Sequence, residues 1–107
     1  MILSVLEQYE LSDTIMRTIC EIGKVSFFQL TSPKKTEHLN TLRGLYCLIC
    51  RDYCIHPKLA AKMICRSRQN IINQTRKYRG YLKTKDPRTI TIYTQIINKL
   101  NILKDAK

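Results

Sequence analysis

The sequence predicts an all-α fold, a small multi-helix domain built around a helix-turn-helix. Three observations predict it. Only three glycines and three prolines interrupt 107 residues. Apolar residues recur at i, i+4 and i+7 through most of the chain. The few breaks coincide with residues that start or stop helices. With 44% hydrophobic and 25% charged residues, residues 1–107 read as a single domain, long enough to form a core without a metal or a disulfide.

Taken in order, Ser12 is expected to cap a helix carrying Ile15, Ile19 and Ile22 on one face, with Gly23 placed to end it. A short helix at residues 3–9 precedes it, within an N-terminal extension of residues 1–11. Residues 25–30, aromatic through Phe27 and Phe28, read as a helical turn in preference to a short strand. The stretch 31–37 contains Ser32-Pro33-Lys34-Lys35 and reads as a basic exposed loop. Residues 39–53 form a strongly amphipathic helix, with Leu39, Leu42, Tyr46, Ile49 and Tyr53 on one stripe, and are expected to make the central core helix. Pro57 then starts a helix over 57–64, because its fixed φ suits the first helical position. Its packing residues are Leu59, Ala60, Met63 and Ile64. Ser67 caps the next helix, 68–83, whose Ile71, Thr75, Tyr78 and Leu82 make one buried face. Asp86-Pro87 opens a last helix with Ile90, Tyr93, Ile97 and Leu100 at helical spacing.

The longest uninterrupted apolar run, residues 45–50, falls far short of the roughly 18 residues that a membrane span needs. The apolar start lacks a basic lead and is followed at once by Glu7 and Glu10, so no secretory signal is expected and the protein is placed in the cytoplasm. Five cysteines, an odd number, then read as reduced thiols. Cys47-x-x-Cys50 followed by Cys54 and His56 invites a zinc reading. The stronger reading is that Cys47, Cys50 and Cys54, at i, i+3 and i+7, are small buried hydrophobes on one helix. Cys65 alone supplies only half of the second ligand pair that a structural zinc site needs. No metal and no cofactor are expected, and no strand pattern surrounds the pair to support a thioredoxin-like role.

Charge is the informative quantity. The chain carries 19 Lys and Arg against 8 Asp and Glu, a net +11. Residues 1–55 sum to zero, whereas residues 56–88 hold ten basic side chains against the single Asp86, a net +9. That third of the chain contains the two helices 57–64 and 68–83, joined by Cys65-Arg66-Ser67, a helix-turn-helix. Ala60 and Ala61 let the first helix approach the second, and Ile64 and Ile71 pack between them. Opposite its apolar stripe the second helix presents Arg68, Gln69, Asn73, Arg76, Lys77, Arg79 and Lys83. Arg grips guanine O6 and N7, Gln and Asn match adenine N6 and N7, and residues near the start of such a helix reach base edges in the major groove.

Residues 13–100 resemble the C-terminal DNA-binding domain of the bacterial replication initiator DnaA, of the Trp-repressor-like helix-turn-helix group. The order of elements agrees. In that family a Gly-Gly-Arg-Asp-His-Thr-Thr-Val signature opens the recognition helix, followed after a short gap by Cys-Arg-Lys-Ile. This chain reads Ile64-Cys65-Arg66-Ser67-Arg68-Gln69-Asn70-Ile71 and then Thr75-Arg76-Lys77-Tyr78, in register. The resemblance implies a minor-groove role for Arg66, and phosphate contacts for Lys34 and Lys35. Ser67-Arg68-Gln69-Asn70 replaces the Asp-His-Thr-Thr that reads the initiator's site, so the resemblance does not extend to that site. No Gly-rich loop ending in Lys-Ser or Lys-Thr occurs in the chain, so the ATPase module is not implied either. What is implied is a way of binding duplex DNA, in a regulatory or a replication or mobile-element accessory role.

The expected partner is therefore double-stranded DNA, with no membrane and no small-molecule substrate, and with a monomer preferred to a dimer. Arg68, Gln69, Asn70 and Asn73 are the base-reading candidates. Lys34, Lys35, Lys58, Lys62, Arg66, Arg76 and Lys77 are candidates for phosphate or minor groove. RNA binding is the alternative, with Tyr78 and Tyr81 available to stack on unpaired bases, and a basic protein-interaction adaptor is another. Enzymatic activity is not expected. Neither His38 nor His56 has a nucleophile or an acid at a supporting spacing, His56 reads as a helix cap, and the acids are scattered.

Overall fold

The structure, a computed structural model, describes residues 3–105. Met1 and Ile2 of the expected extension, and the charged side chains of Lys104, Asp105 and Lys107, lie outside the described residues. Six helices follow one another: α1 (Val5–Gly23), α2 (Phe27–Thr31), α3 (Glu37–Asp52), α4 (Pro57–Ile64), α5 (Arg68–Lys83) and α6 (Pro87–Asp105). The fold is all-α, as the helical periodicity predicts, and no strand occurs among the described residues.

The start of α1 differs from expectation. Ser12 does not cap a helix. It lies buried in the middle of one, and its hydroxyl donates to the Tyr9 carbonyl at 2.9 Å. The cap is Ser4, whose Oγ accepts from Glu7 N while Glu7 Oε1 accepts from Ser4 N, both near 3.0 Å. This reciprocal pair satisfies two end donors at once, so the expected short helix and the one after it are a single rod. Gly23 is its last residue, and the left-handed position beyond it is taken by Lys24 at φ 56°. Gly23 serves a different purpose, close approach to α3: a Cβ there would lie 2.4 Å from Leu42 Cδ1, and the Leu42 side chain would have to shift.

Helix α3 is the centre of the molecule. Leu39, Leu42, Tyr46 and Ile49 are buried as the stripe predicts, but burial extends around the whole circumference from residue 41 to residue 50. The amphipathic expectation is corrected accordingly. Helices α1, α2, α4 and α5 all pack on α3, and α6 closes against α1 and α5. A helix wrapped on every side loses its polar face. Each fully buried Leu or Ile in this core contributes ~2 kcal/mol relative to exposure. Side chains also fasten the layers: Tyr46 Oη donates to the Ala60 carbonyl at 3.3 Å, and His38 Nε2 bonds the Gly23 carbonyl at 2.7 Å.

Local chemistry sets the later helices as expected. His56 Nδ1 accepts from Lys58 N, with Pro57 at the first helical position of α4. Ser67 Oγ accepts from Asn70 N at 3.0 Å and starts α5. Asp86 Oδ2 accepts from both the N–H and the hydroxyl of Thr89 at the start of α6. On α6 the deeply buried residues are Thr89, Ile96 and Leu100, so its core line sits beside the expected Ile90, Tyr93 and Ile97, which are half-buried. No helix among the described residues is long and apolar enough to cross a membrane.

Candidate nucleic-acid interface

Helices α4 and α5 pack against one another across a three-residue turn. Cys65 makes that turn in the left-handed region at φ 58°, and the Arg66 N–H donates back to the Ala61 carbonyl at 3.0 Å. Ala60, Ala61, Ile64 and Ile71 are buried in the seam. The orientation of α5 is fixed chiefly by α3. Tyr78, 4% exposed, packs against Gly44, where an added Cβ would be 2.1 Å from the ring carbons Cδ2 and Cε2. Burial raises the Tyr78 hydroxyl above its ordinary range, opposed by a hydrogen bond with Thr41.

With Ile71 and Tyr78 turned inward, the residues at i, i+4, i+7 and i+11 on the opposite side are Gln69, Asn73, Arg76 and Gly80, all exposed. Gln69 Nε2 donates to Asn73 Oδ1 at 3.1 Å, which holds these two amides together in the middle of the stripe. Of the other base-reading candidates, Asn70 is half-buried on one flank. Arg68 lies on the other, lining a groove of about 370 Å³ together with Arg51, His56, Pro57, Ile72 and Thr75. Lys58, Lys62, Arg76 and Lys77 are exposed, as are Lys34 and Lys35 on the loop between α2 and α3. Lys77 Nζ sits 5.8 Å from the Tyr78 ring centre and 6.0 Å from that of Tyr81.

Arg66 is placed differently from its fellows. Its guanidinium donates to the Ser32 carbonyl at 2.6 Å, to the Cys65 carbonyl at 3.1 Å and to the Thr31 carbonyl at 3.4 Å. It therefore ties the turn before α5 to the end of α2. Arg43, 6% exposed, does the same from α3. It donates to the carbonyls of Leu30, Lys34, Gln29 and Ser32 at 2.8, 2.6, 3.0 and 2.9 Å. Burial, and then the charge of Arg66, hold the Arg43 guanidinium below its usual range.

Salt bridges cover little of this charge. Among the described residues, Arg79 and Arg88 are the only cations of the 56–88 stretch paired with carboxylates, those of Asp52 and Glu37 at 2.8 Å each. The cysteines form no cluster. Cys47 and Cys50 are buried in α3, where burial pushes the Cys47 thiol up to about 12 and Cys50 higher still. Cys54, expected on the same buried face, is exposed at φ 63° just past the helix end. Among the described residues no group of three or more His, Cys, Asp or Glu is placed to hold a metal ion.

Sequence reasoning missed three features: Arg51 beside Arg68, the role of Arg43, and the outward exposure of Phe27 and Phe28. Arg43 carried a signal, since it is a cation between Leu42 and the apolar run 45–50 of α3 with no acid three or four residues away. Such a charge must find backbone acceptors. Phe27 and Phe28 carried one too, because adjacent residues of a helix point about 100° apart, so a short helix packed on one side does not bury both. No protein-family model and no curated protein matches the sequence.

Proposed function

We propose that this chain is a sequence-specific double-stranded DNA-binding protein that seats α5 in the major groove. Arg68, Gln69, Asn70 and Asn73 read base edges from the first turns of the helix, the part that enters deepest. Lys34, Lys35, Lys58, Lys62, Arg76 and Lys77 engage phosphates. Arg66 adds its charge at the turn and holds the loop that carries Lys34 and Lys35. The observation that carries this reading is the stretch of ten cations from residue 56 to residue 88, of which only two meet a carboxylate among the described residues, centred on α5, whose exposed stripe includes Gln69, Asn73 and Arg76. The resemblance to the DnaA C-terminal domain supports the same mode of binding and a cytoplasmic regulatory or accessory role, with a different target site.

Selection of bound sequences from a random duplex pool, followed by titration at several salt concentrations, tests the proposal. Neutralising about five phosphates gives a log-log salt slope near −4.5. Arg68→Ala relaxes the selected sequence by the equivalent of ~1–3 kcal/mol of discrimination, while Lys77→Ala weakens all duplexes alike and flattens the slope by about one. Equal losses on every duplex for both variants refute base reading. Tighter binding to structured RNA than to the selected duplex refutes the choice of partner. Of the two tyrosines available to stack on unpaired bases, Tyr78 is buried and Tyr81 is exposed.

A further inference from the structure

The α2 segment has two properties that binding by α5 does not use. Phe28 is 85% exposed and Phe27 is 51% exposed, neighbours on a five-residue helix. Single apolar side chains on a surface are ordinary, but two adjacent phenyl rings form a patch of the kind that marks contact sites. The segment is also held far more firmly than a connector needs. Ser26 and Gln29 cap it reciprocally at 2.8 and 3.1 Å. Arg43 and Arg66 together bind the carbonyls of Gln29, Leu30, Thr31, Ser32 and Lys34, and both reach the Ser32 oxygen, at 2.9 and 2.6 Å. No carboxylate contacts either guanidinium among the described residues. A rigid, aromatic edge is thus mounted on uncompensated positive charge, with Lys34 and Lys35 following it.

We propose that Phe28, with Phe27 beside it, is a wedge that enters a base step from the minor groove and bends the duplex held by α5. This inference rests on the DNA-binding reading above. Charge selects the occupant: the segment that carries the rings is fastened to Arg66 and followed by the exposed Lys34 and Lys35, a basic setting that suits a phosphate-lined groove, and phenyl side chains inserted between base pairs are a known way to kink DNA. The reach is also right. Arg66 stands immediately before the α5 cap and touches Ser32, and Phe28 lies one helical turn before Ser32, so chain geometry puts Phe28 within about 15 Å of the start of α5. The minor groove next to a major-groove site is half a helical turn away, about 17 Å along the duplex.

The test uses the full chain and a duplex recovered from the random-pool selection, with 2-aminopurine placed at successive flanking positions and donor and acceptor dyes at its ends. Binding is followed separately by anisotropy. The wild-type protein is expected to raise 2-aminopurine fluorescence several-fold at one step and to bend the duplex by about 20 to 90°. Phe28→Ala, at an exposed position, is expected to fold normally, to bind within about tenfold of wild type, and to lose both signals, with Phe28→Trp keeping them. A duplex that is bound but stays straight and stacked overturns the wedge and leaves the DNA-binding reading standing. Persistence of both signals in Phe28→Ala also overturns the wedge. Failure of the wild-type protein to bind any duplex overturns both. Phe28-dependent binding to phosphatidylserine vesicles, with no DNA bending, reassigns the rings to a lipid surface and overturns the proposal.

Discussion

Adding one methyl group at two glycines of this protein should have opposite effects, and the sign depends only on what each Cβ meets. Gly80 lies on the exposed side of α5, and a Cβ there has nothing within 4 Å. Gly80→Ala therefore gains helix propensity and stabilises by ~0.5–1 kcal/mol. Gly44 lies inside α3, and its Cβ would sit 2.1 Å from two ring carbons of Tyr78 and 2.7 Å from a third. Ordinary contact begins near 3.5 Å, so the ring must retreat by more than an ångström. It has little room, since Tyr78 is buried. Overpacking of this kind costs ~1–3 kcal/mol and here outweighs the same propensity gain. With a urea m-value of about 1.5 kcal/mol/M, the Gly44→Ala midpoint falls by roughly 1 M, while that of Gly80→Ala rises by about 0.5 M. A double-mutant cycle with Tyr78→Leu locates the effect, because the smaller side chain should relieve the clash and give a coupling of at least ~1 kcal/mol. Equal stability of the two alanine variants would refute the packing argument. Since the clash displaces α5, Gly44→Ala should also lower duplex affinity without changing the selected sequence.

Removal of the buried guanidinium in Arg43→Met leaves the carbonyls of Leu30 and Lys34 without a donor and takes one of several from those of Gln29 and Ser32, and should cost ~2–4 kcal/mol, a fall of roughly 10 °C or more in Tm by calorimetry. Thiol titration of the native protein should show two fast groups, Cys54 and Cys65, with Cys20, Cys47 and Cys50 slow until denaturant is added. Exposure and the upward push on the buried thiols set that order. The hydrogen bonds from Thr89 hold the Asp86 carboxyl below its ordinary range. Its stabilisation of α6 is thus fully present above the ordinary carboxylate range and is lost as pH falls through the folded value, below about pH 4. Acid titration by circular dichroism should therefore show a shallower loss of helix in Asp86→Asn than in wild type, and an identical profile would remove the cap from the account.

How much was legible in the sequence follows from how local each cause is. The starts of α4, α5 and α6 depend on Pro57, Ser67 and Asp86 acting within three residues, and they fall where those residues put them. The start of α1 lies at Ser4 and not at the expected Ser12 although its cause is equally local, because Ser12 is as good a cap by type as Ser4 and only the Glu7 partner separates them. Burial of α3 on every side is a tertiary outcome: the stripe of Leu39, Leu42, Tyr46 and Ile49 tells which face goes in first, not how many helices will cover the rest. Position along the chain gave the concentration of charge between residues 56 and 88. The acceptors of Arg66 did not follow from it, because Ser32 is 34 residues away and a carbonyl leaves no mark in sequence.

The choice of carbonyl over carboxylate as the partner for two arginines has a consequence for the field of the whole molecule. A guanidinium bound to Asp or Glu is stabilised and also cancelled as a source of long-range potential. Bound to backbone carbonyls, it is satisfied by dipoles that leave the net charge in place. The protein uses carboxylates for Arg17, Arg79, Arg88 and Lys99, which fasten helices in pairs or along one rod. It uses carbonyls for Arg43 and Arg66, which sit beside the turn before α5. A structural bolt made with Asp at this place would have cancelled the charge of a guanidinium that belongs to the turn leading into α5, and such fields act over a Debye length of about 8 Å. The arrangement observed secures the loop and keeps its charge available to an incoming phosphate backbone. Replacing Ser32 by Asp, which offers Arg43 and Arg66 a carboxylate, should therefore preserve or raise stability while slowing association with duplex DNA at low salt. A variant that associates as fast as wild type would show that charge at this loop is not what draws the duplex in, and a destabilised one would show that the new carboxylate does not replace the bonds of the Ser32 hydroxyl.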